Sequence, residues 1–350
     1  MNKTTNKTTN KTKNKITVVI PNYKGIRYLK NCLESLCRQE PGTPEFEVLV
    51  VDNASGDGSI EEAKKLEETG SLSGDGGSGL TKIRFICLKK NTGFCHAVNV
   101  GIRHSDTPYI LLLNNDTVVK SGFVKGLYQA IEKDPKVFSV SARMLMWDRP
   151  GMIDDAGDIY TALGWAYALG KGKPAAAYDT PRYVFTSCGG AAIYRRSVFQ
   201  KIGLFDERHF AYLEDLDIGY RARIYGYRNL YEPTAQVLHY GSASTGSRYN
   251  EFKTKLAAAN SVYVIYKNMP LAQIIWNLPF LIPGFVIKWL FFCKKGMGKI
   301  YLEGLRSGIS RCCGAGAKKH KVRFTWAHLG NYLMIQAQLY KNLFELCRML

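Results

Sequence analysis

Asn114-Asn115-Asp116 directly follows the apolar run Tyr109–Leu113. A carboxylate at such a strand end can bind a divalent cation through oxygen, and the cation can neutralise a diphosphate. A plain turn after a strand uses the same residues. Glu214-Asp215-Leu216-Asp217 opens a helical pattern with three acids in four residues. Acids suit a helix N-terminus through capping and the macrodipole. In a partly desolvated cleft, a carboxylate beside other acids has a raised pKa and can accept a hydroxyl proton. His239 closes a strand pattern at Val237-Leu238. A lone histidine is commonly structural, but facing Asp116 it would complete a site for Mn²⁺ or Mg²⁺.

The elements that must position these groups alternate. Strand patterns at 16–20, 47–51, 82–88, Tyr109–Leu113 and Val137–Met146 are separated by helical patterns at 28–36, 61–68, Phe94–Arg103 and Phe123–Glu132. Such alternation predicts a doubly wound α/β sheet, in which ligands bind beyond the carboxyl ends of strands. Pro21-Asn22-Tyr23, Asp52-Asn53-Ala54-Ser55, Asn91-Thr92-Gly93 and Asn114-Asn115-Asp116 all fall at such ends. After residue 150 the rhythm loosens. Residues 164–178 read as an irregular loop and 185–194 as a turn into a strand. Arg196–Ile202 and Glu214–Ile224 read as helices, and 235–240 as a strand.

The chain has 350 residues, of which 46 % are apolar, enough for a large core and too many for a disordered chain. Its net charge of +19 is unevenly placed. Residues 1–15 carry five lysines and no acid, 241–350 carry +13, and 16–240 only +1. Basic ends of this kind attract polyanions such as nucleic acid or anionic headgroups. The start, built of Asn-Lys-Thr near-repeats, reads as a disordered basic tail rather than a secretory signal. Residues 268–287 contain no charge over twenty positions, and lysines flank them on both sides. Symmetric basic flanks favour a segment lying in one leaflet over one that spans the bilayer. Trp326, Leu329, Leu333, Leu339, Leu343 and Phe344 predict a final amphipathic helix. The nine cysteines have no regular spacing, so reduced thiols are expected. Gly74–Gly79 has Gly-x-Gly-x-x-Gly spacing but precedes a strand instead of following one, so it is not a dinucleotide loop.

Taken in order, the motifs carry a resemblance. They are Val-Val-Ile-Pro-Asn-Tyr (18–23), Val-Val-Asp-Asn-Ala-Ser-x-Asp (50–57) and Asn-Thr-Gly-Phe-x-x-Ala-x-Asn-x-Gly (91–101). Leu-Leu-Leu-Asn-Asn-Asp (111–116), Gly-Leu-Phe-Asp-Glu (203–207), Glu-Asp-x-Asp (214–217) and His239 follow. The chain resembles the inverting family 2 glycosyltransferases of GT-A fold, and most closely their rhamnosyltransferase-like branch, over roughly 16–245. The resemblance implies a mixed, Rossmann-like sheet with a nucleotide-binding half (16–116) and an acceptor half (117–245). A helical, basic, membrane-associating region (246–350) would follow. Pro21, Asn22, Tyr23, Asp52, Asn53, Ser55, Asn91, Gly93, Asn99, Asn114 and Asn115 would line the nucleotide-sugar pocket. The family's Asp-x-Asp appears as Asn114-Asn115-Asp116, so Asp116 would bind the metal with His239 as second ligand. Asp215 maps to the catalytic base. Glu214 would orient it or hold the acceptor, and Asp217 would pack or cap. Gly189 and Gly190 follow Cys188 in a loop near donor sugar and acceptor.

The implied reaction uses a nucleoside diphosphate sugar, dTDP-rhamnose or a UDP-sugar, and divalent Mn or Mg. The acceptor would be a lipid-linked or growing polysaccharide at the cytoplasmic face of the membrane. No nucleic acid partner is expected, because the charge lies in ends around a near-neutral body. The rival readings are a nucleotidyltransferase, disfavoured by the absence of a Gly-rich basic loop after the first strand, and a non-catalytic nucleotide-sugar-binding or nucleic-acid-binding protein.

Overall fold

The computed structural model describes residues 14–72, 77–241 and 250–349. The basic start up to residue 13 and the first part of the Gly74–Gly79 stretch lie outside the described residues.

The strands are β1 (Ile16–Asn22), β2 (Phe46–Asp52), β3 (Leu80–Cys87), β4 (Tyr109–Leu113), β5 (Thr117–Val119), β6 (Val137–Met146), β7 (Ile153–Asp155), β8 (Asp158–Tyr160), β9 (Ala166–Ala168), β10 (Arg182–Val184), β11 (Ala191–Arg195) and β12 (Arg228–His239). The helices are α1 (Leu29–Cys37), α2 (Ser59–Glu68), α3 (Phe94–Arg103), α4 (Phe123–Glu132), α5 (Arg196–Ile202), α6 (Glu214–Ile224), α7 (Glu251–Asn268), α8 (Leu271–Lys294), α9 (Gly298–Cys313), α10 (Ala317–His320) and α11 (Leu329–Met349).

The main sheet runs β10-β12-β6-β11-β4-β1-β2-β3, with β5 on β12 and β7 on β6. β1 to β4 form a parallel half, whereas β11 pairs antiparallel with both β4 and β6. β1, β2 and β4 are buried along almost their whole length, as expected for parallel strands covered on both faces. One core cluster packs α1 and α4 onto one face, and another packs α3 and α5 onto the other. The chain steps outward from β1 to β2 and β3, then returns to lay β4 on the other side of β1. The switch point therefore lies between the ends of β1 and β4.

Four readings from sequence are corrected here. The strand expected at 235–240 begins at Arg228 and runs through Pro233, because pairing with β6 shifts between Glu232 and Gln236. Proline is tolerated at such an irregularity, where no ladder hydrogen bond is lost. Residues 164–178 are not wholly irregular, since β9 pairs there with β8. The final helix buries Tyr332, Ile335, Leu339 and Leu346, and leaves Leu329, Leu333 and Phe344 exposed. The uncharged stretch is divided at Pro270, which precedes the first turn of α8. All nine cysteines are free thiols.

Candidate active site

At the switch point the amide of Asn115 donates to Asn22 Oδ1 at 2.7 Å, joining the ends of β4 and β1. Asn22 is fully buried and in turn donates to Asp52 at 2.8 Å and to Ser59 at 2.9 Å. Ser55 donates its backbone N–H to Asp52 at 3.1 Å. A Cβ on Gly25 would lie 2.0 Å from Asn22 Oδ1 and 2.6 Å from the Asn115 amide nitrogen, so only glycine fits against this bridge. Asn53 clips the neighbouring loop. Its amide donates to Asn91 at 2.9 Å and to the Gly93 carbonyl at 3.1 Å, and its oxygen accepts from Thr92 N–H. These amides hold the loops that form the strand-end pocket. Pro21 and Tyr23, which flank Asn22, stay partly exposed there. Asn99 is not brought to this cluster, because its amide donates to the Phe205 carbonyl and to Glu207.

Antiparallel pairing of β5 with β12 sets His239 opposite Thr117, and Tyr240 N–H donates to the Asp116 carbonyl. His239 Nε2 then faces Asp116 Oδ1 at 3.4 Å, while Nδ1 lies 2.7 Å from Asp154 on β7. Lys171 holds the other oxygen of Asp154. Burial opposes a charge on His239, but hydrogen bonds to Asp116 and Asp154 outweigh it and raise the ring to about 9. Burial likewise works against ionised Asp154, yet His239 and Lys171 bring it down to about 2. An imidazole nitrogen and a carboxylate oxygen thus lie side by side, with a carboxylate orienting the ring from behind, the usual support of a metal-binding histidine; a cation held there would take the place of the Nε2 proton. No group of three or more His, Cys, Asp or Glu side chains suited to a metal occurs among the described residues.

Asp215 stands at the start of α6. Its carboxylate accepts from Leu216 N–H at 2.7 Å and from Gly189 N–H, and Thr186 Oγ1 donates to its backbone carbonyl at 2.7 Å. Asp215 keeps part of its surface open, whereas Glu214 is 8 % exposed and Asp217 is closed. Burial raises Asp215. Burial, with the Asp215 charge beside it, raises Glu214 to about 8, and Glu214 Oε2 has no hydrogen-bond partner. Asp217 behaves oppositely. Despite its burial, Arg221 and Lys267 hold it ionised far below the usual range. The Gly189-Gly190 loop connects the two centres. Gly190 C=O accepts from Asn114 N–H at 2.9 Å, while Gly189 supports Asp215.

Residues 17–203 match the family described as Glycosyl transferase family 2. The chain belongs to that family. The glycosyltransferase is 27 % identical over 226 residues to the N-acetylglucosaminyl-diphospho-decaprenol L-rhamnosyltransferase of Mycobacterium tuberculosis, spanning 57 % of this chain and 68 % of that one. Its fold is similar to Staphylococcus aureus TarS 1-349, solved with UDP-GlcNAc (TM-score 0.55, 16 % identity, 85 % of this chain and 81 % of that one). It is also similar to the mannosyltransferase PcManGT of Pyrobaculum calidifontis, solved with GDP-Man and Mn²⁺ (TM-score 0.51, 16 % identity, 93 % and 84 %). The mixed sheet is of GT-A type.

Several residues that hold this glycosyltransferase's site escape a reading of the sequence. Asp154 and Asp155 are neighbours on β7, where alternation sends consecutive side chains to opposite faces. Asp154 meets His239, and Asp155 accepts from Gly157 N–H at 2.6 Å. Burial and the charge of Asp154 raise Asp155 to about 7. The Asp-Asp pair in the sequence was the available signal. Asn260 on α7 carried none. Its amide points at the carbonyls of His209, Ala211 and Tyr212 at 3.0, 2.9 and 2.7 Å. These carbonyls belong to the loop before α6, in which Phe210, Tyr212 and Leu213 all have positive φ. The same loop presses on Gly93, where a Cβ would come within 2.6 Å of the Phe210 ring.

Proposed function

We propose that this glycosyltransferase moves a sugar from a nucleoside diphosphate donor, dTDP-rhamnose or a UDP-sugar, to a hydroxyl of a lipid-linked or growing polysaccharide acceptor, with inversion. The observation that carries this reading is the Gly189-Gly190 loop, one residue of which supports a partly open, raised-pKa carboxylate while the next holds the Asn114 end of β4. Asp215 takes the proton of the acceptor hydroxyl, and that oxygen attacks the anomeric carbon from the face opposite the diphosphate. The bond from carbon to diphosphate oxygen breaks, and the diphosphate leaves with the electron pair. Asp116 and His239 would hold a divalent cation, Mn or Mg, which when bound supplies positive charge to the leaving diphosphate. Asp154 keeps Nε2 of His239 directed at that place. Asn22, Asp52, Asn53 and Asn115 shape the nucleotide pocket. The names of the mycobacterial relative and of the manganese-bound archaeal structure support a lipid diphosphate acceptor and a metal.

The acceptor reading places the enzyme on the cytoplasmic face of a membrane, with residues 246–350 as the attaching region, and α8 supports it. α8 is long and apolar enough to cross a membrane by length and composition. Its inner face is mixed, with Leu281 buried in the core and Ile274, Phe280 and Phe285 packed against it beside polar groups. Gln273 and Asn277 face inward, where Gln273 accepts from Tyr220 and both donate to Gln336. Leu271, Ile275, Leu278, Ile282, Val286 and Leu290, spaced to form one stripe, face outward. A helix that buries polar as well as apolar groups and still carries an aliphatic stripe outside suits a lipid-facing position, and the lysines at its end suit anionic headgroups.

The test is thermal stabilisation by UDP, dTDP, GDP and CDP, each with and without Mn²⁺ or Mg²⁺. Stabilisation by a pyrimidine diphosphate only with metal is expected. No response to any nucleotide, by folded protein with metal present, would overturn the reading.

A further inference from the structure

A cavity of about 740 Å³ opens where the loop after α5, the far end of α6 and residues 320–323 meet. Its lining includes none of Asp116, Asp215 and His239, so the cavity is separate from the candidate active site. Its floor is electrically closed. Arg221 donates to the carbonyls of Ile202, Gly203 and Leu204 and pairs with Asp217, while Lys267 bridges Asp206 and Asp217 at 2.8 and 2.9 Å. Its wall is not. Arg208, Lys321 and Arg323 line the cavity without a carboxylate in ion-pair range among the described residues; Lys321 Nζ lies over the Tyr266 ring at 5.1 Å, and Arg208 Nη1 is buried with no hydrogen-bond partner. Glu207, the acid on this wall, is taken up by His96 and Arg103. The segment is pinned there by Val322 N–H donating to the Lys267 carbonyl at 2.8 Å. Directly beyond it, Phe324 and Trp326 stand out, Trp326 being 80 % exposed. Lys267, on the floor, is four residues from Leu271, where the outward aliphatic stripe of α8 begins.

An unneutralised cationic cavity beside protruding aromatic residues matches a lipid phosphate below its acyl chains. We propose that this cavity binds the phosphate of an anionic lipid headgroup, with Phe324 and Trp326 in the acyl layer above. The proposal rests on the membrane reading given above.

The full-length protein is titrated with neutral phosphatidylcholine vesicles and with vesicles containing phosphatidylglycerol. Each cation near an anionic surface is worth about fivefold in partitioning. Diffuse attraction alone would make the loss of two such charges cost about 30-fold. Lys321→Gln with Arg323→Gln is therefore expected to weaken binding to anionic vesicles by clearly more than that and to leave neutral-vesicle binding unchanged. Lys318→Gln with Lys319→Gln removes the same charge from the same segment but from outside the cavity lining, and is expected to cost no more than the diffuse loss. Equal losses for the two pairs would mean diffuse attraction and overturn the cavity while leaving membrane attachment standing. Wild-type protein that binds neither vesicle type would overturn both. Thermal stabilisation by inorganic phosphate, lost in the Lys321/Arg323 variant and unmatched by phosphatidylglycerol, would make the cavity a free-anion site and overturn the lipid assignment.

Discussion

Asn260→Leu should cost this enzyme far more activity than stability. Asn260 is fully buried on α7, and its amide serves three carbonyls of the loop before Asp215; its oxygen accepts from Arg311, whose same nitrogen keeps the Arg208 carbonyl as a partner when Asn260 is replaced. Leucine nearly matches asparagine in shape and leaves no room for a replacing water. An NH₂ group makes two good hydrogen bonds at a time, and each buried acceptor left unpaired costs about 1–3 kcal/mol, so the native loop loses about 4 kcal/mol. That loop also holds three non-glycine residues at positive φ, each worth on the order of 1 kcal/mol of strain. Letting go of this conformation recovers most of the loss. The net destabilisation is then about 1 kcal/mol, and the melting temperature falls by only about 2 °C. The relaxed loop ends at Leu213, immediately before Glu214 and Asp215. A displacement of about 1 Å at a catalytic group costs on the order of 100-fold in turnover. Release of nucleoside diphosphate from the donor found by the nucleotide panel gives the rate, and hydrogen exchange over 207–216 reports the loop. A melting temperature lowered by about 8 °C with full activity would mean that the loop kept its strained form, and would refute the argument.

Asp215→Asn should leave donor binding intact and remove most turnover; near-normal turnover would take the base role from Asp215. Asp116→Ala should weaken metal-dependent nucleotide binding, and an unchanged metal titration would contradict the site. Glu214 titrates near 8 in the fold against a carboxylate's usual value near 4.5. Between those values the unfolded chain has lost a proton that the folded chain keeps, so stability falls as pH rises through that window. Melting temperatures from pH 5 to 8 should decline more for wild type than for Glu214→Gln, and parallel curves would show that Glu214 is not the group responsible. Ile275→Asp with Ile282→Asp should abolish binding to neutral and anionic vesicles alike, whereas retained binding would take the lipid-facing role from α8.

What was legible in the sequence was local. Tyr109–Leu113 could be bounded as an unbroken apolar run, Phe94–Arg103 by apolar residues at helical spacing, and Glu214–Ile224 by its acidic first turn with Leu216, Tyr220 and Ile224 four residues apart. The strand-end clusters were legible for the same reason. β12 was shortened because Pro233 reads as a terminator, and only pairing with β6 reveals the irregularity that accepts it. α7 gave no signal because it buries Thr254, Asn260, Ser261, Lys267 and Asn268 among apolar residues, so no face of it reads as the buried one. Of these, Asn260, Lys267 and Asn268 are the ones that reach the loop before α6, Asp206 and Asp217. Positioning groups of this kind act across large sequence separations and leave no spacing to read.

This placement of α7 changes what the C-terminal third does. A simple anchor could be exchanged or removed without touching the chemistry. Here Lys267 and Asn268 hold Asp217 in the first turn of α6, and Arg311 on α9 donates both to Asn260 and to the Arg208 carbonyl. Gly304 and Gly308 let α9 approach α7 so closely that a Cβ at either would come within 2.6 Å of an α7 carbonyl. The helix that orients Asp215 is therefore held by the helix whose next turn of chain begins α8. Displacing α8 pulls on Lys267 across the single connection at Met269-Pro270, and so on Asp217. In the proposed reading, the outward aliphatic face of α8 and the carboxylate of Asp215 share one hydrogen-bonded support.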